Sequence, residues 1–241
     1  MPRKQAGFTL VEIAIVLVII GLLLGGVLKG QELINSAKVK NFATDFRNVP
    51  LFIYGYQDKF KSLPGDDVQV NSHLGASLCA TTCLASGSDQ GNGVINGAWD
   101  DQTDPNAENN MFWRHVRLAG LAAGPTTTSD ATYFPTNADG GFIGIESGGA
   151  ATGGAYIANG TVDAGTGVVT DDGTDYSPTY LVCSRGILGK YAKQLDTTLD
   201  DGQTATGSVR VVPNTGHVRG GTAVSSMLID DATSYIVCQG L

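Results

Sequence analysis

Apolar residues are unevenly placed along this chain. From Phe8 to Leu28 they run almost unbroken: 16 of 21 positions are Ala, Val, Ile, Leu or Phe, interrupted by Thr9, Glu12, Gly21, Gly25 and Gly26. A helix of that length rises about 31 Å, enough to cross the hydrocarbon of a bilayer. Past Leu28 the run gives way to a stripe. Val39, Phe42, Phe46, Val49, Ile53, Tyr56, Phe60 and Leu63 follow at alternating steps of three and four, the mark of one apolar helix face. Lys38, Lys40, Asp45, Asn48 and Lys59 fall opposite, on a face suited to water. The pattern predicts one helix from about Thr9 to Lys61, bare and apolar in its first half, amphipathic and laid against a globular head in its second. Pro50 removes one hydrogen bond and predicts a kink. Several aromatics here fall on the stripe (Phe42, Phe46, Tyr56, Phe60), so they read as core packing rather than as an electron path.

Beyond Leu63 the periodicities shorten. Leu63-Pro64-Gly65-Asp66 reads as a turn closing the helix, and Ser86–Gly97 as a Gly/Asn/Ser-rich loop. Asn109–Leu118 reads as a short helix ended by Gly120, and Ile187–Leu195 as another. Gly141–Ile145, Ala155–Ala158, Gly167–Thr170, Tyr180–Cys183, Ser208–Val212 and Tyr235–Cys238 are strand candidates. A long helix, loops and several strands predict an α+β fold, with the helix packed on an antiparallel β-sheet head carrying long Gly-rich loops.

Composition narrows the classes. Of 241 residues, 42% are hydrophobic and 16% charged, which excludes disorder throughout. Glycine, at 33 residues, is about twice its usual share and fits a loop-rich head. The net charge of −8 divides as +2 over residues 1–7, +2 over 8–61 and −12 over 62–241. So acidic an outer portion argues against nucleic acid as a partner, because such binding rests on cations that displace counterions. Arg3 and Lys4 before the apolar run favour a cytoplasmic N-terminus, although Lys29, Lys38 and Lys40 follow on the far side. A secretory signal would be shorter and end in a small-residue cleavage site. Glu12 sits inside the run, where a carboxylate is costly unless it finds a partner.

The string Lys4-Gln5-Ala6-Gly7-Phe8-Thr9-Leu10-Val11-Glu12 resembles the processing signal of type IV prepilins and of the pseudopilins of type II secretion. The resemblance implies cleavage by prepilin peptidase after Gly7 and methylation of the new amine of Phe8. It also implies that Glu12 neutralises the Phe8 amine of a neighbouring, identical subunit in a filament. Residues 1–7 would then be a leader, 8–28 the transmembrane and filament-core helix, 29–63 its amphipathic continuation and 64–241 the head. It places the precursor in the inner membrane, head outside, among the assembly machinery, and later in a periplasmic or extracellular filament. Gly21, Gly25 and Gly26 would either let the helix unwind on packing, as in pilins, or simply admit close helix neighbours. Leu63–Asp66, the segment 112–121, and Asp196 with Asp200-Asp201-Gly202 resemble elements of longer pilin-like proteins.

Four cysteines in a segment placed outside the cytoplasm predict two disulfides, with three pairings open. Cys183–Cys238 is favoured because each ends an apolar strand candidate, which leaves Cys79–Cys83 to close a local loop; the rival use is zinc held by Cys79, Cys83 and His73. Nineteen of the 23 acids are Asp, many beside Gly, as calcium loops and plain turns both require. Asp171, Asp172 and Asp175 form the best candidate calcium cluster by ligand type and spacing, a structural calcium being the cofactor to expect if there is one. The EF-hand-like Asn92-Gly93-Val94-Ile95 fails, since Ser88 and Trp99 stand where its end ligands belong. Phosphate-loop, dinucleotide and Gly-x-Ser-x-Gly signatures are absent, and His73, His115 and His217 stand isolated, so no enzyme is predicted. The expected function is a structural subunit of a type IV pilus or pilus-like filament. The rivals are a type II secretion pseudopilin or minor pilin, and a membrane-anchored binding protein or adhesin.

Overall fold

α1 (Leu10–Phe60) is a single 51-residue helix in the computed structural model, which describes residues 9–79, 83–87, 89–148, 157–214 and 221–241. The leader with Gly7, and Phe8 and His217, lie outside the described residues. Thr9 caps the start of α1. Lys61 closes it with a left-handed φ of 56°, its N–H donating to the Gln57 carbonyl at 2.8 Å. The helix continues through Pro50, where the Phe46 carbonyl lacks its usual i+4 donor. Burial divides it. The apolar residues from Leu10 to Ile34 are exposed, whereas Val39, Phe42, Ala43, Phe46, Val49, Ile53 and Tyr56 are buried. Asp45 and Asn48 correct the simple two-faced picture. Both are half-buried and line a cavity of about 160 Å³ with Phe52, Trp113 and Arg117, because the head wraps more of the helix than one stripe. Burial pushes the Asp45 carboxyl up to about 6.

The head places short helices α2 (Val70–Leu74), α3 (Ala76–Cys79) and α4 (Glu108–Leu118) ahead of two sheets. The strands are β1 (Ile143–Ser147), β2 (Ile157–Val162), β3 (Val169–Tyr176), β4 (Tyr180–Leu188), β5 (Val209–Pro213), β6 (Gly221–Thr222) and β7 (Ser234–Gly240), with α5 (Gly189–Leu199) between β4 and β5. The larger sheet has order β1-β4-β7-β5 and is antiparallel throughout. Its alternation sorts side chains between two layers. Val182, Val211 and Val237 join Phe42, Phe46, Ile53, Tyr191 and Leu195 on the α1–α5 side. Leu181, Cys183, Ile236 and Cys238 join Trp99 and Ile157 on the other. The smaller sheet, order β3-β2-β6, holds one parallel pair, β2 with β6, which the sequence pattern did not predict.

Two sequence expectations shift. Ile187 and Leu188 belong to β4 and pair with Tyr235 and Ser234; α5 begins only at Gly189. The strand reaches them across an irregularity between Ser184 and Ile187, where Gly186 takes a φ of 77°. The strand expected to begin at Ala155 begins, within the described residues, at Ile157.

The turn after α1 is anchored rather than loose. Gly65, at φ 95°, lies so close to α4 that a Cβ there would come within 2.5 Å of the Glu108 carbonyl. Its N–H donates to His115 Nδ1 at 2.9 Å, while His115 Nε2 lies 2.7 Å from the Cys83 carbonyl. Asp66, also buried, accepts from the N–H groups of Gly91 and Gly93, drawing the Gly/Asn loop onto the end of the helix.

Candidate functional site

The candidate site is the bare half of α1. Thr9 sits in an extended conformation (φ −77°, ψ 152°) and starts the helix through a reciprocal capping box with Glu12. Glu12 N–H donates to Thr9 Oγ1 at 3.3 Å, while Thr9 N–H and Oγ1–H both donate to Glu12 Oε2 at 2.8 Å. Spacing alone explains this: Thr followed three residues later by Glu is the capping pattern, and it holds the carboxylate at the helix N-terminus, where the dipole favours negative charge. The sequence reading expected Glu12 to act in assembly and missed this intrachain pairing.

Around Glu12 the surface is apolar. Leu10, Val11, Ile15, Val18 and Ile19, with Ala14, line a shallow strip along one side of the helix, and no residue of the apolar span is buried. Gly21, Gly25, Gly26 and Gly30 have open space where a Cβ would stand. Lys29, bonded to Glu32 at 2.7 Å, marks where the polar surface begins. This helix is long and apolar enough to cross a membrane. Helix association inside an apolar medium gains nothing from hiding apolar surface, so close packing and polar pairing decide which helices meet.

The cysteines stand at two places. Cys183 and Cys238 are register partners at the centre of the β4·β7 ladder, disulfide-bonded and wholly buried. Cys79 and Cys83 are bonded to each other beneath Met111. That bond consumes both thiols, and His73 pairs with the buried Asp67 at 2.7 Å, so the zinc alternative has no free sulfur to use.

The structure does not bring Asp171, Asp172 and Asp175 together as a ligand set. They lie on exposed β3, and two of them are occupied by backbone within that strand. Asp171 accepts from Gly173 N–H at 2.8 Å, and Asp172 accepts from the Thr174 hydroxyl and N–H at 2.6 and 2.9 Å, which lowers its pKa. Among the described residues the carboxylates that do converge are Asp196, Asp200 and Asp201, one oxygen from each lying within 4.8 Å of the other two. Burial, with the charges of Asp201 and Asp200, pushes Asp196 up to about 7. The sequence showed these three acids; what it did not show was that α5 buries the first of them.

No curated protein and no solved structure matches the chain at a significant level. Residues 2–28 match the family model described as the prokaryotic N-terminal methylation motif. That motif is the prepilin signal of type IV pilins and pseudopilins, and the match covers the start of α1 and the residues before it.

Proposed function

We propose that the protein is a structural subunit of a type IV pilus or pilus-like filament, cut by prepilin peptidase after Gly7 and polymerised through α1. One observation carries the proposal. A continuous helix joins a fully exposed apolar half, with a carboxylate near its start, to a half buried in the head. A plain membrane anchor needs neither that carboxylate nor an unbroken helix into the head.

In this reading assembly moves the surface of residues 8–28 from lipid into a bundle of identical helices, two media of similar polarity. The free-energy difference from apolar area is therefore small, and polar groups fix the register. Both capping bonds engage Glu12 Oε2; among the described residues Oε1 has no partner, which leaves it for the Phe8 ammonium of an adjacent subunit. A buried carboxylate and a buried ammonium each cost several kcal/mol alone and relieve one another. The pair therefore selects docking geometry more than it adds stability. Before assembly the partners are the bilayer, prepilin peptidase and the inner-membrane machinery.

Replacing Glu12 by Ala tests this. The head should melt as in the wild type, while sheared surface fractions lose the filaments seen by electron microscopy. Abundant normal filaments from Glu12→Ala cells would refute the proposal. N-terminal mass analysis should find a methylated Phe8, and an intact Met1 on the assembled protein would count equally against it.

A further inference from the structure

The head carries three Asn-Gly pairs, Asn92-Gly93, Asn96-Gly97 and Asn159-Gly160. Such a pair is chemically labile: the nitrogen after the Asn can attack the side-chain carbonyl carbon and close a five-membered imide, and a glycine puts no Cβ in the way. The three pairs are held differently, and the first is held for reaction.

Asn92 is exposed, on the Gly/Asn loop that Asp66 draws onto the end of α1. Its Oδ1 accepts the Val94 N–H at 2.8 Å, an Asx turn that folds the side chain back toward the Gly93 nitrogen. That nitrogen is itself bonded to a carboxylate, Gly93 N–H donating to Asp66 Oδ2 at 2.7 Å. Asp66 is buried, and its other oxygen is fixed by the Gly91 N–H. Gly93 has open space where a Cβ would stand, which leaves its nitrogen unshielded. One turn therefore holds a nucleophilic nitrogen, a base on its proton, and a donor on the oxygen that becomes negative. At the other two pairs the carboxamide nitrogen, which must leave, is tethered. Asn96 Nδ2 donates to Glu108 Oε2 at 2.9 Å, and Gly97 is crowded by Asn109. Asn159 Nδ2 donates to Thr174 Oγ1 and to the Asp175 carbonyl at 3.1 and 3.0 Å, and Gly160 stands opposite Asp171 in the β2·β3 ladder.

We propose that Asn92-Gly93 is a self-processing site, at which the fold converts Asn92 to aspartate and isoaspartate with Asp66 as general base. Asp66 takes the Gly93 N–H proton as the nitrogen bonds to Asn92 Cγ. The Val94 N–H stabilises the oxyanion. The Cγ–Nδ2 bond then breaks, and Nδ2 leaves as ammonia with that proton. Water, the one co-reactant, opens the imide at either carbonyl. One water enters and one ammonia departs, with no change in oxidation state. The imide nitrogen carries no hydrogen, so its bond to Asp66 is lost. Hydrolysis then leaves a new carboxylate on the loop, and opening toward isoaspartate lengthens the main chain by one carbon. The reaction loosens the loop from the end of α1 once and irreversibly, so it marks each copy by its age.

The test holds the full-length protein in detergent at pH 7.5 and 37 °C, beside the same chain unfolded in guanidinium with its disulfides reduced. Peptide mass mapping follows each Asn, and isoaspartyl methyltransferase reports isoaspartate. In the folded protein Asn92 should convert about tenfold or more faster than Asn96 or Asn159, and faster than Asn92 in the unfolded chain. Asp66→Asn, where it folds, should slow the conversion of Asn92 about tenfold or more; where it does not fold, the two wild-type samples decide. Asn92 preserved in the folded protein while it converts in the unfolded chain would overturn the proposal. So would equal rates at the three asparagines of the folded protein, or an undiminished rate in folded Asp66→Asn.

Discussion

Acid should loosen the head through His115. The imidazole is wholly buried, and its two nitrogens are committed in opposite senses. Nδ1 accepts the Gly65 N–H, so Nε2 carries the proton and donates to the Cys83 carbonyl. A second proton must enter at Nδ1, where it confronts a donor instead of an acceptor. Burial holds the imidazole down to about 4, against an opposing pull from Asp67 and the Cys83 carbonyl. The unfolded chain, with the ordinary value near 6.5, binds a proton over a range of pH in which the folded chain does not. Stability from this group is therefore complete above pH 6.5 and is lost as pH falls toward 4. Between pH 7 and pH 5 the loss is about 2 kcal/mol, or roughly 4–8 °C in melting temperature for a chain of this size. Asp45 works the other way. Its raised carboxyl takes up a proton more readily in the folded state, so it gains stability as pH falls through about 6. The comparison that isolates the histidine is therefore wild type against His115→Asn, which keeps an acceptor near Gly65 but cannot titrate. Melting would be followed by near-UV circular dichroism of the buried Trp99 and Trp113, in detergent, from pH 7 to 5. The wild type should lose about 2 kcal/mol more than the variant. Parallel curves would refute the reasoning.

Other perturbations follow from the same core. Replacing Cys183 and Cys238 by Ala releases a bond spanning 55 residues and should cost about 4 kcal/mol in urea denaturation, by the chain-entropy relation. Phe42→Ala empties a fully buried position between α1 and α5 and should cost about 3–5 kcal/mol in the same assay. Gly144→Ala puts a Cβ 1.9 Å from the Trp99 carbonyl, a backbone atom that cannot yield cheaply. It should destabilise the head by about 2 kcal/mol or more, with visible loss of the tryptophan near-UV signal.

The long helix was legible because one local rule, a 3-4 spacing from Val39 to Leu63, agrees with the global packing. Thr9 and Lys61 lie where the sequence placed the ends. The strands of the larger sheet were found for a similar reason: Leu181–Cys183 and Tyr235–Cys238 are short apolar runs that a two-sided core requires. What escaped depends on long-range contact. Asp66 looks like a turn residue, yet it is buried by a loop more than twenty residues away. Ile187 and Leu188 look helical, because their spacing suits α5 and only β7 reveals them as strand. β6 pairs parallel over two residues, too few to leave a periodic trace. The acid groups could not be ranked from sequence, because Asp171, Asp172 and Asp175 and the group at the end of α5 share the same local chemistry. Only burial tells them apart, and burial is a property of the whole chain.

The unbroken course of α1 has a mechanical consequence. At about 1.5 Å per residue it is a strut some 77 Å long with no hinge segment between apolar tip and head. A load applied to the head travels axially along hydrogen-bonded backbone. It should yield first at Gly21, Gly25, Gly26 and Gly30, where no side chain props one turn against the next. Stretching would then consume helix near the tip before it disturbs the sheet, so that extensibility and the integrity of the displayed surface reside in separate lengths of the same rod.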